Sequence, residues 1–113
     1  MSDHDDRVRL RHMLDYAREA VVLTQNRSRE DLSRDRLLQL GLVRLVEIIG
    51  EAAAKVTRET RSQYPHIPWL QITGMRNRLI HGYDSVDYDI LWQTIKTDLP
   101  DLIVGLQQMD IED

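Results

Sequence analysis

Nine residues, Met75-Arg76-Asn77-Arg78-Leu79-Ile80-His81-Gly82-Tyr83, bring together a guanidinium, a carboxamide, an imidazole and a phenol, with a glycine between the last two. Arginine is a planar fork suited to phosphate, and histidine exchanges protons near neutral pH. Together they describe a phosphodiester site. An α-helix turns about 100° per residue, so Asn77 and His81 share one face while Arg76 lies about 140° round from His81. Arg76 and Tyr83, seven apart, nearly align if the helix runs that far.

The chemistry that fits is RNA cleavage. RNA carries its own nucleophile, the 2'-hydroxyl, so cutting it requires no metal. A base must take the hydroxyl proton, an acid must protonate the leaving oxygen, and a cation must stabilise the charge building on phosphorus. His81 suits either proton-transfer role, Arg76 suits bidentate contact with the phosphate, and Asn77 suits orienting the ring or donating to substrate. One histidine is one proton-transfer group too few. A homodimer that sets two copies of the motif across one cleft supplies the second.

Taken alone, Arg-x4-His is also met by a helix end with a hydrogen-bonded histidine and a surface arginine, and spacing by itself favours that plainer reading. Tyr83 alone reads as an amphipathic residue at the edge of a core. Glu51 and Lys55 read first as a helical ion pair, with a carboxylate reaching the motif as the functional alternative. Asp84, Asp87 and Asp89 offer oxygen atoms to a divalent cation, but capping a helix suits them better. Trp69 and Trp92 read as core residues. His4, His12 and His66 lack ligand-like spacing, so no metal site is expected, nor any resident cofactor.

The bulk properties bound the answer. The chain has 113 residues, enough for one domain, with 42% hydrophobic and 30% charged residues, an ordinary globular composition. Cysteine is absent, which removes disulfides and thiolate chemistry and fits a cytoplasmic protein. The start, Ser2-Asp3-His4-Asp5-Asp6, is acidic where a secretory signal is basic and then apolar. No apolar run approaches the roughly 20 residues that cross a bilayer. The formal charge of -4 opposes binding a polyanion. Setting aside six acidic residues at the two ends, however, leaves 15 Lys and Arg against 13 acids over residues 7–109, a net of +2. An RNA-binding surface on such a chain must be a local, composite basic cleft.

The pattern around the motif is helical. Leu10, Met13, Leu14, Ala17, Ala20, Val21 and Thr24 follow helical spacing from Asp5 to about Thr24. Gln25 to Ser33 reads as a loop, with Ser33 as an N-cap or with Ser28-Arg29-Glu30-Asp31 capping an earlier turn. A long helix is expected from about Arg34 to Thr60. Leu38, Leu42, Leu45, Val46, Ile49, Ala52, Ala53 and Val56 form its stripe, and Leu37, Leu40, Gly41, Val43 and Ile48 widen it beyond what one contact buries. The excess suggests a second covering surface, a partner subunit. Gly50 and Ala52 to Ala54 suit close approach of another helix. Pro65 and Pro68 interrupt the pattern, and Pro68 suits the first position of a helix running to His81. Gly82 then lets the chain turn. Asp84 or Ser85 caps a helix carrying Val86, Ile90, Leu91, Ile95 and Leu99, which Pro100 ends or kinks before a short helix through Leu102, Ile103, Leu106 and Met109. The reading is all-α, an up-and-down bundle of four to five helices in one domain over residues 1–113. Its acidic ends, about 1–5 and 110–113, are expected to be disordered.

The motif does not stand alone. Ile49-Gly50-Glu51-Ala52-Ala53, Ile67-Pro68-Trp69-Leu70-Gln71-Ile72, Gly74 through Tyr83, Val86-Asp87, Trp92 and Leu99-Pro100 occur in order. Together they resemble the HepT-like family of HEPN-domain proteins. The resemblance covers nearly the whole chain and is most specific over residues 49–100. It implies a dimeric α-helical bundle acting as a ribonuclease toxin, with an Arg-x4-His-x-Tyr motif matched by Arg76, His81 and Tyr83. It also implies a partner, an MntA-type nucleotidyltransferase antitoxin that uses ATP to transfer AMP to the motif tyrosine, Tyr83 here. Transfer RNA is the target class it suggests. Asp84-Ser85 departs from the aromatic residue and glycine that follow the tyrosine in relatives, which bears on the shape beside Tyr83. The alternative from another class is a non-catalytic helical partner of a nucleotidyltransferase.

Overall fold

The structure is a computed structural model that describes residues 3–82 and 85–109. It is all-helical. The elements are α1 (Asp3–Leu23), α2 (Arg29–Arg34), α3 (Arg36–Lys55), α4 (Arg58–Gln63), α5 (Trp69–Thr73), α6 (Met75–Leu79) and α7 (Tyr88–Gln93), then a π-helical turn over Thr94–Asp98 and α8 (Leu99–Gln107). The bundle measures 42 × 30 × 20 Å. Helix α1 lies against α3 and α8, while α5 and α6 lie against α3. One apolar cluster joins them, with Met13, Leu14, Leu42, Ile49, Met75, Leu79 and Ile95 inaccessible to solvent. No helix among the described residues is long and apolar enough to cross a membrane.

The expected boundaries shift for local reasons. Residues 3–5 lie in the first turn of α1, and residues 1 and 2 lie outside the described part. Residues 110–113 lie outside the described part. The Ser28 alternative holds, since Ser28 and Asp31 form a reciprocal capping box on α2. Ser33 caps nothing. Asp35 caps α3 instead, accepting from the Leu38 N–H at 3.0 Å. That bond first, with Arg27 beside it, holds the Asp35 carboxyl below its ordinary value.

The long helix expected to reach Thr60 ends at Lys55, and Thr57 starts α4 in its place. The cause is a carboxylate 51 residues away. Asp6 accepts from the Thr57 N–H at 3.1 Å, from Thr57 Oγ1 at 2.6 Å and from Thr60 Oγ1. Burial pushes the Asp6 carboxyl up, but the bonds from Thr57 and Thr60 and the charge of Arg9 outweigh it, and the group sits below its ordinary value of 3.8. A depressed folded value stabilises the protein above the unfolded value, and that contribution is lost as pH falls below it. Asp6→Asn is therefore expected to cost roughly 1–3 kcal/mol at pH 7, with the gap from wild type closing as pH drops from 5 to 3. Urea unfolding at both pH values measures it, and a gap independent of pH would refute the assignment.

The helix expected from Pro68 to His81 is two helices meeting at Gly74. A carbon added to Gly74 would lie 3.2 Å from the Leu70 carbonyl. Gly50 accepts α5 at close range, as its sequence position suggested. A side-chain carbon there would lie 3.3 Å from the Ile72 carbonyl oxygen. Asp87, not Asp84 or Ser85, caps α7 through the N–H groups of Asp89 and Ile90. Pro100 stands in the first turn of the last helix, α8, after a π-helical turn. Proline cannot donate to the helical ladder and crowds the carbonyl four residues back. The turn before it widens to π geometry, with the Leu99 N–H bonded to the Thr94 oxygen, and α8 continues.

Candidate active site

Helix α6 is a single short segment held by its two ends. Met75 and Leu79 are fully buried, and Arg76, Asn77 and Arg78 between them are exposed. Spacing explains this, because residues four apart share a helical face. After Leu79 the backbone becomes extended and folds back on itself. Ile80 bridges to Val86, the His81 N–H bonds to the Ser85 oxygen at 2.6 Å, and the Asp87 N–H bonds to the Leu79 oxygen at 2.7 Å. Gly82 has φ +80°, a left-handed conformation that glycine adopts without penalty. His81 thus stands on a small hairpin, exposed, and not on the helix. The shared helical face expected for Asn77 and His81 does not form, since α6 stops two residues before His81. Tyr83 and Asp84 lie outside the described residues.

Arg76 has a built environment. Its Nε donates to Glu47 Oε2 at 2.8 Å, and Arg44 approaches the other carboxylate oxygen at 3.9 Å. With Nε engaged, the two terminal nitrogens remain for a bidentate contact, the edge a phosphate uses. Among the described residues, neither terminal nitrogen has a hydrogen-bond partner. Glu47 is 23% exposed and Arg76 50%, so the carboxylate is the fixed member and the guanidinium the presented one. Beside them lies a groove of about 280 Å³, lined by Arg36, Leu40, Val43, Arg44, Glu47 and Arg76 among others. Its far wall is equally anchored. Gln39 is buried, donates to the Leu32 carbonyl at 2.9 Å, and accepts from both Arg36 at 3.2 Å and the Tyr88 hydroxyl at 3.0 Å.

The structure therefore brings Arg76 together with Glu47, Arg44 and the groove, and leaves His81 outside that lining. The carboxylate that reaches the motif is Glu47, one turn before Glu51. Glu51 and Lys55 make no ion pair with each other and line a separate groove against α1. Glu47, Arg44 and Arg36 went unread in the sequence. Their signal was present, because 100° per residue sets Val43, Arg36, Glu47, Leu40 and Arg44 within a sector of about 100° on α3. Asp89 pairs with Arg29 at 2.7 Å, and no group of three potential metal ligands converges among the described residues. Trp69 is buried and Trp92 half-buried, as core residues are.

Comparison with known proteins points to a ribonuclease family. The family model described as "Ribonuclease HepT-like" matches residues 13–109. The "Putative RNase MJ1216" of Methanocaldococcus jannaschii is 35% identical over 102 residues, 90% of this chain and 84% of the relative. The "Putative RNase TTE0752" of Caldanaerobacter subterraneus is 39% identical over 93 residues, 82% and 83% of the two chains. The "Probable ribonuclease HepT" of Thermococcus cleftensis is 39% identical over 88 residues, 74% and 80% of the two. No solved structure gives a significant match. With a family match spanning nearly the whole bundle and the Arg-x4-His-x-Tyr residues inside it, the chain belongs to the ribonuclease HepT-like family.

Proposed function

We propose that the protein is a metal-independent endoribonuclease toxin, cutting RNA with Arg76 and His81 and silenced by AMP transfer from ATP to Tyr83 by an MntA-type nucleotidyltransferase. The observation that carries the reading is Arg76 itself. An arginine whose Nε is held by a carboxylate, at the rim of a groove with its terminal edge unengaged, is prepared for a phosphate. In the reaction, the 2'-oxygen bonds to phosphorus while its proton passes to a base, and the bond to the 5'-oxygen breaks as that oxygen takes a proton. The products are a 2',3'-cyclic phosphate and a 5'-hydroxyl. Arg76 would stabilise the charge on the phosphoryl oxygens and Asn77 would donate to the substrate. His81 would move one proton, and its counterpart in a homodimer would move the other.

An exposed apolar strip supports the second copy. Leu37 is 81% and Leu40 51% exposed on α3, Gly41 and Ile48 share that side, and Leu40 also lines the groove beside Arg76. Pairing of two such strips would bring two motifs to one cleft, in a cytoplasmic protein with transfer RNA among its targets. AMP on Tyr83 would put bulk and negative charge two residues from His81, repelling the RNA phosphate.

The test is cleavage of RNA by the purified chain in EDTA. Cutting with cyclic-phosphate ends is expected, and a 2'-deoxy residue at the scissile position should abolish it. Incubation with ATP and the neighbouring nucleotidyltransferase should label Tyr83 and stop cutting. A folded protein that leaves RNA intact in either EDTA or magnesium would favour the non-catalytic partner instead.

A further inference from the structure

We infer that the groove along α3 is the track of the substrate strand, with Arg44 and Arg36 holding backbone phosphates on one side of the one on Arg76. The inference rests on the ribonuclease reading and extends it to how the strand is bound. The chain as a whole is acidic, with a formal charge of -4, so any affinity for a polyanion must be local. Around this groove three guanidiniums face one carboxylate, Glu47. The excess is two positive charges around a groove of about 280 Å³, which suits a polyanionic strand.

The donors are prepared for that use. Arg36 spends one of its five donors on the buried Gln39 and keeps the rest. Arg44 is 61% exposed and meets Glu47 at 3.9 Å, beyond hydrogen-bonding distance. Both are rooted on a 20-residue helix, so binding orders little backbone and loses little entropy. Arg36 and Arg44 are eight residues apart, a rise of about 12 Å along α3, and Arg76 enters beside the Arg44 end through their common partner Glu47. The cations thus extend along the helix from Arg76 and Arg44 to Arg36, which suits successive phosphates of a strand better than one isolated phosphate. Between them the wall of Leu40, Val43 and Tyr88 offers an apolar surface to one base.

The experiment measures binding apart from cutting. A labelled single-stranded oligoribonucleotide with 2'-O-methyl groups is titrated with the full chain in EDTA, across a series of salt concentrations, by fluorescence anisotropy. A phosphate contact on a single strand contributes about 0.7 to the slope of log K against log salt. Arg36→Ala and Arg44→Ala are each expected to lower the slope by about that amount, the double variant by about twice it, alike for oligonucleotides of unrelated sequence. Arg58→Ala, in the separate surface groove beside Trp69, should leave the slope unchanged, and thermal melting should confirm that every variant folds. Binding with wild-type slopes in the Arg36 and Arg44 variants would overturn the track while leaving the ribonuclease reading intact. A change in oligomeric state with unchanged slopes would overturn it too, marking the face as a protein interface. Failure of wild type both to bind and to cut RNA would overturn the two together.

Discussion

His81→Ala is expected to lower kcat for RNA cleavage about 10²- to 10⁴-fold, the range over which a positioned proton-transfer group acts. The side chain is exposed and contributes no buried contact, and the local hairpin is held by the backbone bond from the His81 N–H to the Ser85 oxygen. Alanine keeps that bond, so the melting temperature should stay close to wild type. The pair between Arg76 and Glu47 belongs to different elements and survives the change, so the 2'-O-methyl oligonucleotide should bind with wild-type affinity. Loss in kcat without loss in binding is the signature of a group acting in the transition state. Measured by single turnover in EDTA, cutting by His81→Ala at the wild-type rate would remove His81 from the mechanism.

The largest stability effect is expected at Leu79. It is fully buried and, with Met75, is one of two anchors that fix the exposed Arg76-Asn77-Arg78 edge to the core. Leu79→Ala removes three buried carbons and leaves a cavity, at a cost of about 2–5 kcal/mol, which lowers the melting temperature on the order of 10 °C. Surface charges offer a contrast. The Arg11–Asp15 pair has both side chains more than two-fifths exposed, and such pairs contribute only ~0.3–0.5 kcal/mol. Arg11→Ala should therefore shift the melting temperature by a small fraction of the Leu79→Ala shift. Calorimetry of the two variants side by side decides it, and equal shifts would mean that α6 is held by something other than its apolar ends.

The core faces of α1 and α3 were legible because a single period of 3.6 residues sets them. Leu10, Met13, Leu14 and Ala17, like Leu38, Leu42, Val46 and Ile49, are buried as that period requires. The breaks were less legible, because a break is decided by whichever group satisfies the free N–H groups of the next helix. Asp35 and Ser33 are both good caps, and composition does not choose between them. Thr57 caps α4 with help from Asp6, a partner 51 residues away that no local window contains. The same distance effect hid the environment of Arg76. Its carboxylate, Glu47, lies 29 residues upstream on a helix whose apolar stripe dominated the pattern. Arg76 and His81 stood out as residue types, but their separation into a helix and a hairpin came from Gly82 and the Ile80–Val86 bridge, which only the folded chain displays.

That hairpin has a mechanical consequence. Among the described residues, three backbone hydrogen bonds, from the Ile80, His81 and Asp87 N–H groups, and the half-buried Ile80 and Val86 hold this turn to the bundle, against the fully buried anchors of α6 on one side and the capped α7 on the other. Opening it sacrifices little of the apolar contact that stabilises the whole, so its free energy lies near the low end of local unfolding. Because His81 rides on the same hairpin, opening it would carry the imidazole with it, while Arg76, paired with Glu47 on α3, would stay in place.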